Sequence, residues 1–318
     1  MKFKNIFVAI NASLILSLLA ACSALKPTPA PTPTPKVDPA MVIQYHFVTN
    51  KLLIPTTQAQ AQDFALNVDG DSQQHLDNLF GDLLTLLASA APNFELQSTL
   101  DQAVNAGQLV SLHVVKADDS LNDQSVSWSI FQGQKSQSAL NFDGFDKLTL
   151  DSAAPATTPI AGSLTNGHFT GGSGTAQIQM FLLNQLFVVD LIGVRLEADL
   201  SAQGCANGKL GGGVTVDDFH GKILPAIADG LNVMIKTDNS AANTLLQVFD
   251  SDNNGTITLQ ELESNPLLMM AISPDLDLLD ASGEYNPGQD GVKDSYSVGL
   301  GFTCVPAAFT APELILVP

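Results

Sequence analysis

The spacing of apolar positions changes character several times along the chain. Residues 42–49 read as a strand. Residues 76–90 place apolar side chains at 76, 79, 80, 83, 84, 86 and 87, the period of an amphipathic helix. Residues 95–106 predict a second helix, stopped by Gly107. Strand-like runs follow at 109–115, 125–131 and 148–150, and residues 125–130 alternate strictly between Ser and an apolar residue. Residues 160–216 are rich in Gly, Thr and β-branched residues. Within them, 178–191 predicts one long strand or a bent pair, 195–200 alternates again, and Gly211, Gly212 and Gly213 mark tight turns or a bulge. Asp217 and Asp218 can cap a helix over 219–235, with a break expected near Pro225, and residues 296–304 read as a final strand. Short strands at this spacing predict an α+β protein. Its mostly antiparallel β-sheet would form a sandwich or partial barrel flanked by helices.

The first 40 residues obey different rules. Lys2 and Lys4 precede an uncharged apolar run over 6–19, and Leu19-Ala20-Ala21-Cys22 closes it with small residues. This is the layout of a secretory signal, too short for a permanent spanning helix; the alternative is a membrane anchor helix. The closing tetrapeptide resembles the lipobox of bacterial lipoproteins at every position. The resemblance implies a lipid on Cys22, which becomes the mature N-terminus. Ser23, where an Asp would signal inner-membrane retention, implies transfer to the outer membrane of a double-membrane bacterium. Pro27, Pro29, Pro31, Pro33, Pro35 and Pro39 then favour an extended spacer. The expected organisation is a signal at 1–22, a Pro/Thr-rich linker at 23–40, a β-rich globular region at 41–236, and a C-terminal region at 237–318 packed on the same domain.

Composition narrows the functions. Hydrophobic residues at 45% against 14% charged support a packed core. The formal net charge of −19 repels phosphate backbones and excludes a nucleic-acid partner as an expectation. Arg195 is the sole arginine. With Cys22 assigned to lipid, Cys205 and Cys304 remain. Outside the cytoplasm they could pair as a disulfide, or they could stand as two separate buried thiols.

The sharpest chemical signal lies at 250–261. Asp250, Asp252 and Asn254 stand at positions 1, 3 and 5 of a twelve-residue run, Gly255 at 6, Thr256 at 7, Thr258 at 9 and Glu261 at 12. Calcium seeks about six to eight oxygens, and this spacing turns side-chain and backbone oxygens toward one point. The run resembles the EF-hand family at its diagnostic positions. The resemblance implies Ca2+ held by Asp250, Asp252, Asn254, the Thr256 carbonyl, Thr258 through water, and Glu261, with Ile257 anchoring the loop. Ser240 can cap a helix over 241–249. Pro266, five residues past Glu261, departs from the family pattern. It forces a short exit helix or a new helix starting near Asn265, which favours a structural site over a switching one.

EF-hands usually pair, yet no second full loop is present. Asn286, Asp290 and Asp294 form a partial run resembling the short calcium loops of dockerins and thrombospondin type 3 repeats, with Asp275, Asp277 and Asp280 just before it. They make a candidate second metal site; the alternative is a solvated acidic turn. Asp69, Asp71 and Asp77 read as a helix-capping turn. The histidines at 46, 75, 113, 168 and 220 form no zinc pattern, and neither a nucleophile elbow nor a phosphate loop occurs. The expected function is a calcium-binding exported lipoprotein of the cell envelope, not an enzyme, tied to a membrane through Cys22 and binding or bracing a protein or polymer left open here. The alternative is a calcium-stabilised extracytoplasmic hydrolase of a cell-wall or external polymer.

Overall fold

The computed structural model describes residues 42–71, 76–90, 95–136, 138–183, 185–237 and 239–310. Cys22, His75, the expected signal at 1–22 and the proline-rich stretch after it lie outside them. Eight strands run in chain order: β1 (Ile43–Leu53), β2 (Ser111–Ala117), β3 (Asp123–Gln132), β4 (Ile160–Thr165), β5 (His168–Leu182), β6 (Gln185–Ser201), β7 (Gly204–Thr215) and β8 (Ser295–Pro306). Each pairs antiparallel with the next, and β8 returns to pair with β1, so the sheet closes into a barrel. Closure removes both edges, which a sandwich or partial barrel would leave open. The helices are α1 (Gln58–Asp63), α2 (Leu79–Ala90), α3 (Leu96–Asn105), α4 (Val216–Asp218), α5 (Leu224–Thr237), α6 (Asn239–Phe249), α7 (Leu259–Ser264) and α8 (Pro266–Ala271), with a π-helical turn at Phe219–Ile223. The protein is therefore α+β, an antiparallel sheet flanked by helices.

Alternation in the sequence becomes inside and outside. Val126, Trp128 and Ile130 of β3 are buried. The Trp128 ring lies 5.1 Å from Phe169 on β5 and 6.3 Å from Phe302 on β8, contacts that reach across the interior because neither strand neighbours β3. The void beside His113, Ile178, Leu210 and Phe302 is about 40 Å³, room for a water or two, so the interior is a packed core and not a ligand chamber. One polar network survives inside it. Trp128 Nε1–H, which can only donate, bonds His113 Nδ1 at 3.1 Å. Nε2 therefore carries the proton and donates to Thr49 Oγ1 at 2.7 Å. Burial lowers the His113 pKa to about 3 and keeps the ring neutral.

Four local readings are decided or changed by the structure. Of the two alternatives for the apolar run at 178–191, the structure gives the pair: the run spans the end of β5 and the start of β6, which form a hairpin paired from Leu182 and Gln185 back to His168 and Asp199. Residues 148–150 make no strand of their own; Leu150 bridges Gly133, and Lys147 bridges Ala308. Helix α2 starts at Leu79, because residues 76–78 serve another purpose: Asp77 bridges Leu66. The helix through Pro225 does not break. A π turn immediately before α5 widens the backbone there, which accommodates a residue lacking an N–H and clashing with the carbonyl four residues back.

The segment joining α1 to α2 lies on the outside of β7 and β8, with Leu66 and Val68 over Gly211 and Phe64 over Gly301. Buried Asn78 ties it down: its Nδ2 donates to Ala61 O at 2.9 Å and Gly299 O at 3.2 Å, and its Oδ1 accepts from Gly299 N at 2.7 Å. Gly299 permits this approach, since a Cβ there would stand 2.6 Å from Phe64 O. Beside it, Asp77 accepts from Val68 N–H at 2.9 Å. Its pKa is raised to about 6, by burial first and then by repulsion from Asp69, Asp275 and Asp71, against the pull of the Val68 bond. A carboxyl with a raised folded-state value binds its proton more tightly in the fold than in the unfolded chain. It costs stability above about pH 6 and nothing below its ordinary value. Asp77→Asn is therefore expected to stabilise the fold by about 1–3 kcal/mol near neutral pH, with the gain vanishing near pH 4. Thermal melts at the two pH values check this; equal melting points near neutral pH would refute it.

Candidate metal centre

Helix α6 delivers the chain to Asp250, whose N–H still bonds Leu246 O at 3.0 Å. The backbone then folds around the Asp250 carboxylate. Oδ1 accepts from Asn254 N at 3.1 Å and Oδ2 from Gly255 N at 2.8 Å. The turn needs two left-handed residues, Asn253 at φ 58° and Gly255 at φ 83°; the second is where glycine pays no steric penalty. Asn254 Oδ1 accepts from Thr256 N at 2.8 Å and also from the Thr256 hydroxyl.

Ile257 is buried and fixes the loop to the domain. Its N–H donates to Asn232 Oδ1 at 2.8 Å, and its carbonyl accepts from Asn232 Nδ2 at 2.6 Å. Asn232 sits on α5, so one amide side chain meets both polar groups of the loop residue. Thr258 then caps α7 in a capping box with Glu261. Asn265 caps α8, with Pro266 at its first turn, so the exit from the loop is two short helices.

Glu261 closes the loop from behind. Oε2 accepts from Thr258 N at 2.9 Å and Thr258 Oγ1 at 2.8 Å; Oε1 accepts from Ser251 N at 2.7 Å, Ser251 Oγ at 3.1 Å and Asp252 N at 3.3 Å. These donors, the Thr258 N–H foremost, hold its pKa down to about 2 against the opposing effect of burial. Asp250 and Glu261 are each less than a tenth exposed, while Asp252 faces solvent. One carboxylate oxygen from each of the three lies within 4.8 Å of the other two. No Lys, Arg or His forms an ion pair with any of them among the described residues. Three carboxylates converging without a cationic side chain form a group that could hold a metal ion.

Of the six predicted ligands, the three carboxylates, Asp250, Asp252 and Glu261, come together. Asn254 turns its oxygen to Thr256, and Thr258 supports Glu261. The partial run behaves otherwise. Asp294 spends its oxygens on Leu278 N at 3.3 Å, Leu279 N at 2.9 Å and Ser295 Oγ at 2.7 Å. Exposed Asp290 accepts from Val292 N at 2.9 Å, and the Asn286 N–H bonds Leu278 O at 2.9 Å. Cys205 and Cys304 face each other on β7 and β8 and are joined by a disulfide. Among the described histidines, His220 reaches Glu263 at 3.2 Å and His168 reaches Asp199 at 2.8 Å, both as surface pairs. A groove of about 660 Å³ on the outer wall is lined by Asn67, Gln124, Thr170, Arg195 and Glu197 among others. It holds one carboxylate, where glycoside hydrolysis uses two.

No family model matches the chain, and neither a curated protein nor a solved structure matches it.

Proposed function

We propose that the protein is an exported, lipid-anchored module that binds calcium in the 250–261 loop, with the ion bracing the fold. The observation that carries this reading is the convergence of Asp250, Asp252 and Glu261 oxygens inside a loop tied down from both ends. An all-oxygen donor set suits a hard cation, and a Glu261 pKa near 2 means that its carboxylate is charged at any pH where the protein would work. The short helices α7 and α8 favour bracing over a helix-opening switch, because Asn265 and Pro266 redirect the chain within two turns of the loop. Membrane attachment is assigned to a lipid on Cys22. The barrel interior is apolar and the outer wall partly polar, the reverse of a membrane-spanning barrel. Export fits the disulfide, which persists in oxidising compartments.

Isothermal titration of the full chain, carrying Cys22→Ser to prevent acylation, is expected to show calcium binding, and Asp250→Ala is expected to remove one site. Absence of any heat up to about millimolar calcium, the weak end of extracellular sites, would end this reading.

A further inference from the structure

A further buried carboxylate has one oxygen that no hydrogen bond satisfies. Asp277 is 95% buried, and its Oδ1 has no hydrogen-bond partner among the described residues. Leu276 and Leu278 on either side are fully buried with Val68, so the backbone alternation turns Asp277 the opposite way. Its direction follows from the partners it does have. Oδ2 accepts from Gly291 N at 2.8 Å, and its own carbonyl accepts from Gly288 N at 3.0 Å. Both donors belong to the turn that carries Asn286 and Asp290, in which Gly288 and Gly291 adopt φ 71° and 73°. The turn is thus tied to Asp277 twice, once through its backbone carbonyl and once through its carboxylate.

A buried carboxylate oxygen left without a donor carries a penalty larger than that of a neutral group. A proton, a water or a cation could relieve it. The surroundings favour the cation. Asp280, Asp290 and Asp294 stand in the same loop, so negative charge accumulates there. The nearby Lys293 is directed to Asp69, at 3.6 Å. No basic side chain pairs with Asp277 among the described residues. Asp294, which the sequence pattern offers as a ligand, braces the Leu278 and Leu279 N–H groups; Asp277, which that pattern leaves outside the run, has the open oxygen.

We propose that Asp277 Oδ1 is the anchoring ligand of a second hard divalent cation site, calcium in class, completed by oxygens of the 286–291 turn, with Asp290 supplying its second charge. The site is separate from the 250–261 loop and does not depend on it.

Equilibrium dialysis against radioactive calcium tests this on the full chain carrying Cys22→Ser, with four forms: parent, Asp250→Ala, Asp277→Asn and the double variant. The expected equivalents bound are two, one, one and none. A parent binding one equivalent, all of it lost in Asp250→Ala, overturns the second site and leaves the loop assignment standing. One equivalent in both the parent and Asp250→Ala, lost in Asp277→Asn, upholds this site and overturns the loop. Should circular dichroism show that Asp277→Asn does not fold, exposed Asp290→Asn decides in the Asp250→Ala background. Removing one charged ligand is expected to weaken the remaining site by about tenfold. Unchanged affinity overturns the proposal.

Discussion

Replacing Cys205 and Cys304 together by serine is expected to lower the stability of the fold by about 4 kcal/mol, through the loop-closure entropy returned to the unfolded chain. The two cysteines are separated by 99 residues, and their Cα atoms stand 4.8 Å apart at directly opposed positions on β7 and β8. A loop of that length is where the chain-entropy account gives its larger values. The position adds to the effect, because β8 is the strand that closes the barrel against β1. For a domain of this size the loss corresponds to roughly 8–15 °C in melting temperature. The measurement is a thermal melt of the parent and the double variant, each with and without a reductant. Reductant should move the parent toward the variant and leave the variant where it is. A variant melting with the oxidised parent would show that the bridge contributes nothing. Stabilisation of this kind is available only where thiols oxidise, so the fold gains from the compartment that the export segment is read to reach.

The fold and the metal centre were legible in the sequence to different depths. Local patterns named what local physics decides. The Ser/apolar alternation at 125–130 became β3, the helical period at 76–90 became α2 with its first turn displaced, and the spacing of Asp250, Asp252 and Glu261 became a converged group. Closure of the barrel was not legible. It rests on residues 47–53 meeting residues 301–306, a pairing some 250 positions apart that no window of sequence contains. The turn at Leu183 was hidden for another reason. Both strands beside it are apolar enough to read as one run, and no Gly, Pro or Asn-Gly marks the reversal. Asp277 was noted only as a neighbour of the 286–294 run and not as a ligand, because spacing ranks residues by register within a loop, whereas its open oxygen is a property of what folds around it. Asn232 was the largest omission. An asparagine in the middle of a helix carries no signal of its own, and its role exists only once α5 lies against the loop.

That role gives the second large effect. With calcium in the 250–261 loop as proposed above, Asn232→Leu is expected to weaken its binding by about 10- to 100-fold, on the scale seen when a group that orients metal ligands is removed. It should also destabilise the metal-free chain by about 2–3 kcal/mol, chiefly from the two hydrogen bonds lost to Ile257 and the two backbone groups left unmet, with a third bond, to Ala228 O, lost as well. The reason lies in Ile257, four residues before Glu261. Its N–H and carbonyl are both held by the Asn232 amide, at 2.8 and 2.6 Å, as a neighbouring strand would hold them. A single side chain on α5 supplies both the donor and the acceptor. Releasing Ile257 frees the segment that brings Glu261 back to Ser251 and Asp252. Asn232→Asp separates the two contributions, since a carboxylate still accepts from the Ile257 N–H but cannot donate to its carbonyl. It should fall between the parent and Asn232→Leu in both affinity and melting temperature. Calorimetric titration of the three proteins reads the affinity. If Asn232→Leu binds calcium as the parent does, the loop holds its shape without α5, and its geometry is set by the twelve residues alone.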